Sequence, residues 1–311
     1  DSRSQTKYPN RNIHFIIERT VTMNHETLIK ETCAKVFDVS KEDVSLEERL
    51  MGGMSNFTYI IKVNDTLYTF RVPGKNAEKF VDRVIEKHHI ELEKPLGLNN
   101  ETVYLDTESG IKIAKYIEGT PLHQKKPLDY LKEAANVLHT IHDSTIESKH
   151  PYDPFNRLEK YESYMEAFDH THDERYFKYK ETLKSYKPFL DQFEHTFTHG
   201  DAQISNFVVR ENEIRLMDWE FSGQNDPYYD IACFGNNDFD HAVALLPVYL
   251  ERTPKHEDYK RLYLWRTYQC LQWHNVALYK DKIGLSQQLE VDFDYVAKLY
   301  LDKASALLAK L

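Results

Sequence analysis

From Asn24 to Phe37 the apolar residues Leu28, Cys33, Val36 and Phe37 recur with helical periodicity. The pattern then changes to a period of two. Leu46–Leu50 leads into a Gly-rich turn, and Phe57–Val63 is β-branched and aromatic. Asn64-Asp65 turns the chain, and Leu67–Val72 brings it back as a second strand. Ala77–Leu92 reads as a helix. Glu101–Leu105 and Ile111–Ile117 read as a further hairpin across Asp106–Gly110. Glu118-Gly119-Thr120-Pro121 follows as a linker. Beyond it the patterning is mostly helical, over about 127–143, 155–185, 226–236, 239–251, 256–281 and 293–310. One hairpin interrupts this part: Phe207–Arg210 and Ile214–Met217 flank the polar turn Glu211–Glu213. The pattern predicts an α+β chain, with a small β-rich N-lobe over 23–117 and a larger, mainly helical C-lobe over 118–311. Residues 1–22 are read as an upstream extension or added residues, with Met23 a candidate start.

Composition narrows the classes. Of 311 residues, 41% are hydrophobic and 13% aromatic, enough to fill a core. No apolar run approaches the ~18–20 residues of a membrane span, so membrane insertion is not expected. The net charge of −10 speaks against nucleic acid as a partner and mildly favours a cationic substrate. Cys33, Cys233 and Cys270 lie far apart, which suits neither a disulfide framework nor a zinc site, and a cytoplasmic location is expected.

The candidate chemistry lies in the C-lobe. Asp201 and Asn206 stand in a D-x-x-x-x-N arrangement inside His199–Asn206, and a second acid follows at Asp218. Phosphoryl transfer needs those types at that spacing. One acid accepts the proton of the attacking hydroxyl, while an Asn amide oxygen and another carboxylate hold Mg²⁺. The intervening hairpin would bring Asp218 back beside Asn206. Asp201 is therefore the expected base, with Asn206 and Asp218 the expected metal ligands. Arg71, in an apolar strand, could hold nucleotide phosphates. It would need an acidic partner from the next helix: Glu86 by spacing, with Asp82 and Glu91 as competitors. Gly52–Asn56, including Ser55 and Asn56, could approach the β- and γ-phosphates as a tight turn.

These motifs, with Leu138–Asp143, resemble the aminoglycoside phosphotransferase and choline kinase superfamily. Gly53–Asn56, Phe70–Val72, Lys115–Ile117 and the run Asp218–Gly223 with Tyr229–Ala232 look most like choline kinases of the bacterial LicA type. The resemblance implies a bilobal protein-kinase-like fold, with ATP and Mg²⁺ as cofactors and choline as substrate. It implies phosphocholine for teichoic acid or other surface glycans as the product's use. It further implies that the Lys115 carbonyl and the Ile117 N–H bond the adenine edge. A quaternary ammonium offers no conventional hydrogen bond, so aromatic faces must hold it. The expected walls are Trp219, Phe221 and Tyr229 near the catalytic run, then Trp265, Trp273 and Tyr295, with Glu220 close by. An aminoglycoside or ethanolamine kinase of the same superfamily is the alternative. A pseudokinase that binds nucleotide without transfer is a third reading, opposed by the presence of Asp201, Asn206 and Asp218.

Overall fold

The computed structural model describes residues 11–50, 56–168, 170–211, 213–289 and 291–311; for 11–23, 288 and 289 it gives the backbone alone. The chain divides into two compact units. One takes in the chain up to Glu78 together with Glu101–Tyr116; the other takes in Lys79–Asn100 and Ile117–Leu311.

The first unit is a helix on a sheet. Helix α1 (Arg11–Phe37) precedes strands β1 (Val44–Leu50), β2 (Asn56–Val63) and β3 (Thr66–Pro73). After an excursion into the other unit come β4 (Thr102–Leu105) and β5 (Lys112–Lys115). The sheet is antiparallel in the order β1-β2-β3-β5-β4. Its core joins Ile29 and Cys33 of α1 to Tyr59, Ile61 and Val63 of β2, Phe70 of β3 and Ile113 of β5. The tyrosine keeps a polar partner within this core, its hydroxyl lying 2.7 Å from His25 Nδ1.

The second unit begins with α2 (Arg83–Glu93), N-capped by Asp82, whose side chain accepts from the Val84 and Ile85 N–H groups. The continuous helix expected over Ala77–Leu92 is therefore a short 3₁₀ turn at Ala77–Lys79 and then α2. The strand β6 (Thr120–Pro121) pairs with the hairpin β8 (Phe207–Arg210) and β9 (Glu213–Leu216). The strand β7 (Thr196–Thr198) pairs antiparallel with β10 (Gly223–Asn225). The helices are α3 (Leu131–His142), α4 (Pro154–Ser163), α5 (Glu174–Ser185), α6 (Lys187–Leu190), α7 (Tyr228–Phe234), α8 (Phe239–Leu250), α9 (His256–Lys282), α10 (Leu285–Leu289) and α11 (Phe293–Leu308). The single helix expected over 155–185 is two, α4 and α5. Asp173 restarts the chain as an N-cap by accepting from the Arg175 N–H, a local hydrogen bond that helical periodicity does not reveal. The long helix α9 is buried along most of its length and carries α11 against it. All three cysteines are buried and free. Among the described residues no helix is long and apolar enough to cross a membrane.

The dependence of the first unit on α1 can be measured directly. Ile29 is fully buried between α1 and the sheet. Ile29→Ala should cost ~2–5 kcal/mol, the range for a large-to-small change in a core. Chemical denaturation should show a lowered midpoint, and an unchanged midpoint would remove α1 from the core of this unit.

Candidate active site

The turn that carries Asp201 leaves β7 and is held from beneath. The carboxylate of Asp230 on α7, fully buried, accepts from the backbone N–H of His199 at 2.7 Å and of Gly200 at 2.8 Å. His142 of α3 lies 3.1 Å from the same carboxylate through Nε2, and its Nδ1 is 2.9 Å from the Tyr249 hydroxyl. One neutral tautomer satisfies both bonds, with Nε2–H donating to Asp230 and Nδ1 accepting from the tyrosine. His199 is fixed in the same way. Its Nε2–H donates to the Met217 carbonyl at 3.0 Å, and its Nδ1 accepts the Asp201 N–H at 3.2 Å. His142 and His199 therefore brace the turn, while His139 stacks on Tyr249 with centroids 4.3 Å apart. Gly200 adopts φ +77°, and a Cβ there would collide with the Phe221 carbonyl oxygen. The sequence needs glycine at that position twice over.

Asp201 and Asn206 meet directly. The Asn206 amide nitrogen donates to the Asp201 carbonyl at 2.9 Å and to Asp201 Oδ2 at 3.1 Å, and Gln203 Nε2 donates to the same Oδ2 at 3.0 Å. The hairpin β8–β9 returns the chain as its pattern implies. Phe207 pairs with Leu216, and the Met217 N–H donates to the Asn206 carbonyl at 2.8 Å. Asp218 follows at φ +68°, a left-handed conformation that Asp tolerates better than most residues. Burial drives the Asp201 carboxyl well above the ordinary carboxylate range, and the negative charges of Asp218 and Glu220 add to the shift.

The donor set suits Mg²⁺. Asn206 spends its amide nitrogen on Asp201, which leaves its amide oxygen for a cation. Asp218 adds a hard carboxylate oxygen close enough to perturb Asp201. Among the described residues no three His, Cys, Asp or Glu side chains converge on one point. A two-residue set is what an ion shared with nucleotide phosphates and water requires.

The other expected residues distribute unevenly. Glu220 is buried, and its Oε2 accepts from Arg83 Nη1 at 2.7 Å. The same nitrogen bonds Glu86 at 2.7 Å, so Glu86 has Arg83 as a partner, one the sequence reading did not consider. Trp219 is 0% exposed, its Nε1–H donating to the Leu216 carbonyl at 2.8 Å; Tyr229 and Trp265 are 1% and 2% exposed. These three rings are pillars of the core and present no open face to a ligand, which corrects their expected role as pocket walls. Phe221 and Trp273 are half-buried and meet edge to face with centroids 6.5 Å apart, while Tyr295 is 61% exposed. A cation of the protein itself enters the aromatic cluster. The Arg157 guanidinium stands 4.0 Å from the Tyr152 ring and 6.0 Å from that of Phe221. Nothing in the sequence pattern marks Arg157 for that place.

In the first unit, Arg71 is buried and donates through Nη2 to the Gly110 carbonyl at 3.2 Å. Lys112, also buried, faces it across the β3–β5 register. Sequence reasoning missed Lys112, although a lysine inside the apolar run Ile111–Ala114 was the available signal. Asn56 opens β2 opposite Pro73, and Gly52–Ser55, with Ser55 among the expected site residues, lies outside the described residues. The Lys115 N–H donates to the Glu101 carbonyl at 2.8 Å, and its ammonium pairs with Glu101 Oε2 at 2.6 Å. Ile117 belongs to the second unit, and its N–H is uncommitted among the described residues.

Residues 48–283 match the family described as Choline/ethanolamine kinase. The chain belongs to that family. The LicA protein of Haemophilus influenzae is 26% identical over 276 residues, covering 84% of this chain and 79% of that protein. The crystal structure of choline kinase LicA from Streptococcus pneumoniae matches with a TM-score of 0.78 at 27% identity, over 93% of this chain and 100% of that one. A structure of LicA in complex with AMP matches with a TM-score of 0.73 at 25% identity, over 92% and 99% of the two chains. The α+β architecture is that of the protein-kinase-like fold.

Two measurements test the bracing and the electrostatics of this kinase site. Asp230→Ala removes the acceptor of two buried N–H groups and of His142, each worth ~1–3 kcal/mol when left unsatisfied. The melting temperature should drop and turnover should fall, whereas unchanged stability would deny Asp230 its bracing role. Asp201→Asn should act in the opposite direction on stability. The folded-state carboxyl pKa is raised, so its stabilising contribution is complete at low pH and is lost as pH rises through the folded value. Replacing the charge should therefore raise the melting temperature near pH 7 and have little effect below about pH 4, the ordinary Asp value. Turnover should fall ~10²–10⁴-fold, the usual worth of a general base. Equal melting temperatures at both pH values would contradict the electrostatic reading.

Proposed function

We propose that this chain transfers the γ-phosphoryl group of ATP to the hydroxyl of choline, with Mg²⁺, in the cytoplasm, and that the phosphocholine decorates bacterial surface glycans. The observation that carries the transfer reading is the Asp201–Asn206 pair, braced through Asp230 and returned to Asp218 by the β8–β9 hairpin. Gln203 and Asn206 both donate to Asp201 Oδ2, which fixes the carboxylate and leaves Oδ1 to orient the acceptor hydroxyl and take its proton. Bound Mg²⁺ supplies positive charge to the phosphates as negative charge shifts onto the leaving group, and Asn206 with Asp218 would hold it. In the first unit, Arg71 and Lys112 form a paired positive site for nucleotide phosphates, with Ser55 and Asn56 contributing from the start of β2 and the residue before it. The Lys115 carbonyl and the Ile117 N–H serve the adenine edge. Glu86 acts at one remove, by sharing Arg83 with Glu220.

Choline recognition falls to the rings that keep a face open. Trp273 and Phe221 form an edge-to-face pair, and Tyr295 is the exposed aromatic of α11. A quaternary ammonium gains about 2 kcal/mol or more from a desolvated aromatic face. Ethanolamine is the second reading, favoured by the family's own description. Its primary ammonium could use carboxylates, but Glu220 already has Arg83 as a partner.

A coupled assay of ADP release with choline, ethanolamine and kanamycin separates these acceptors; brisk release with kanamycin and none with choline would overturn the substrate reading. Trp273→Ala should raise the KM for choline roughly thirtyfold, the equivalent of ~2 kcal/mol, and leave the KM for ATP nearly unchanged. Trp273→Phe should recover part of the loss. If the melting temperature falls and the choline KM stays put, Trp273 is a packing residue and the acceptor lies elsewhere.

A further inference from the structure

Beyond the transfer centre, the second unit contains a cavity of about 160 Å³ whose lining is unusually positive for a chain of net charge −10. Arg266 of α9, Lys303 of α11 and Lys310 line it, together with Asn236, Asn237 and Phe239, and no carboxylate is among the lining residues. Arg266 is 2% exposed. Its Nη1 donates to Gln269 Oε1 at 2.9 Å, and its Nη2 donates to the Asn236 carbonyl at 3.1 Å and to Asn236 Oδ1 at 2.9 Å. All three acceptors are neutral. No carboxylate is among the hydrogen-bond acceptors of this buried guanidinium, so it brings net positive charge to the cavity wall. Lys303 and Lys310 add to the imbalance. Their ammonium groups lie 5.6 Å from the Tyr300 ring and 5.5 Å from the Tyr263 ring respectively, and neither forms an ion pair among the described residues. Asp238 acts electrostatically on Lys303, and its carboxylate already caps α8 by accepting from the Asp240 N–H at 3.0 Å.

A directed chain of hydrogen bonds leaves the cavity. Arg266 donates to Asn236 Oδ1, Asn236 Nδ2 donates to Gln203 Oε1 at 3.0 Å, and Gln203 Nε2 donates to Asp201 Oδ2 at 3.0 Å. Every donor points from the cation toward the carboxylate, so each bond polarises the next. The chain therefore ties the position of the guanidinium to that of the Asp201 carboxylate.

We propose that this cavity binds a small phosphate-bearing anion, and that its occupancy lowers turnover by drawing Arg266 away from Asn236 and so loosening the Asn236–Gln203 chain that holds Asp201. Lys303 and Lys310 make the direct contacts from the rim, and Arg266 supplies the field behind them. A bare phosphate fits the positive lining better than phosphocholine, whose trimethylammonium the three cations repel.

The test uses the full chain in saturating ADP, so that the nucleotide-phosphate site is closed, and titrates inorganic phosphate by calorimetry. The binding arm does not depend on which alcohol is the acceptor. Wild type should show one saturable site. The double substitution Lys303→Gln with Lys310→Gln, both positions at the rim, should weaken it by about tenfold or more, as expected for the loss of two charge-assisted contacts. Under saturating substrates, phosphate should slow wild type and leave the double variant much less affected. The proposal is overturned if no saturable site appears in the presence of ADP. It is equally overturned if the double variant binds phosphate as wild type does, or if phosphate slows both proteins alike.

Discussion

One buried carboxylate carries the turn that leads to Asp201. Asp230 sits on α7 and takes the consecutive N–H groups of His199 and Gly200, one on each oxygen. A backbone that bends this sharply exposes donors that no strand or helix can satisfy, and inside a protein an unsatisfied donor is costly. Supplying both acceptors from one side chain fixes the direction in which the chain leaves β7, and therefore the place where Asp201 emerges. His142 and Tyr249 fix the orientation of Asp230 in turn. The base proposed above is thus positioned by groups that would not themselves react. Their removal acts through geometry.

The same region concentrates negative charge. Asp201, Asp218 and Glu220 are close enough for two of them to raise the proton affinity of the first. The chain relieves this unequally. Glu220 receives Arg83, which it shares with Glu86, and Asp201 receives two amide donors, one of them at the end of the relay from Arg266. The remaining imbalance suits an acceptor of the choline/ethanolamine type, which brings positive charge to carboxylates.

The parts of this arrangement that are local in sequence could be read from it. The spacing of Asp201 and Asn206, and the return of the chain through a hairpin, are set by a few adjacent residues and by strand periodicity. The N-lobe strands follow from β-branched and aromatic alternation. The aromatic residues were less legible because a ring that fills a core and a ring that faces a ligand have the same spacing on a helix. Trp219 and Trp265 are of the first kind; only packing around them reveals it. Partners chosen by three-dimensional proximity were also hidden. Arg83 lies three residues before Glu86 and bonds Glu220 from the far end of the chain. Arg157 reaches the ring of Tyr152 from α4, which periodicity alone does not separate from α5.

The missing side chain at Gly200 bears on how this family member can change over time. Its backbone occupies a region closed to most residues, and the space where a Cβ would stand is already taken by main-chain atoms of Phe221. A clash with a side chain can be relieved by a compensating substitution; a clash with a carbonyl cannot, because every residue carries one. Single-step drift is therefore blocked here irrespective of genetic background. Diversification must enter through replaceable side chains elsewhere, so laboratory evolution gains nothing by randomising this position of the turn.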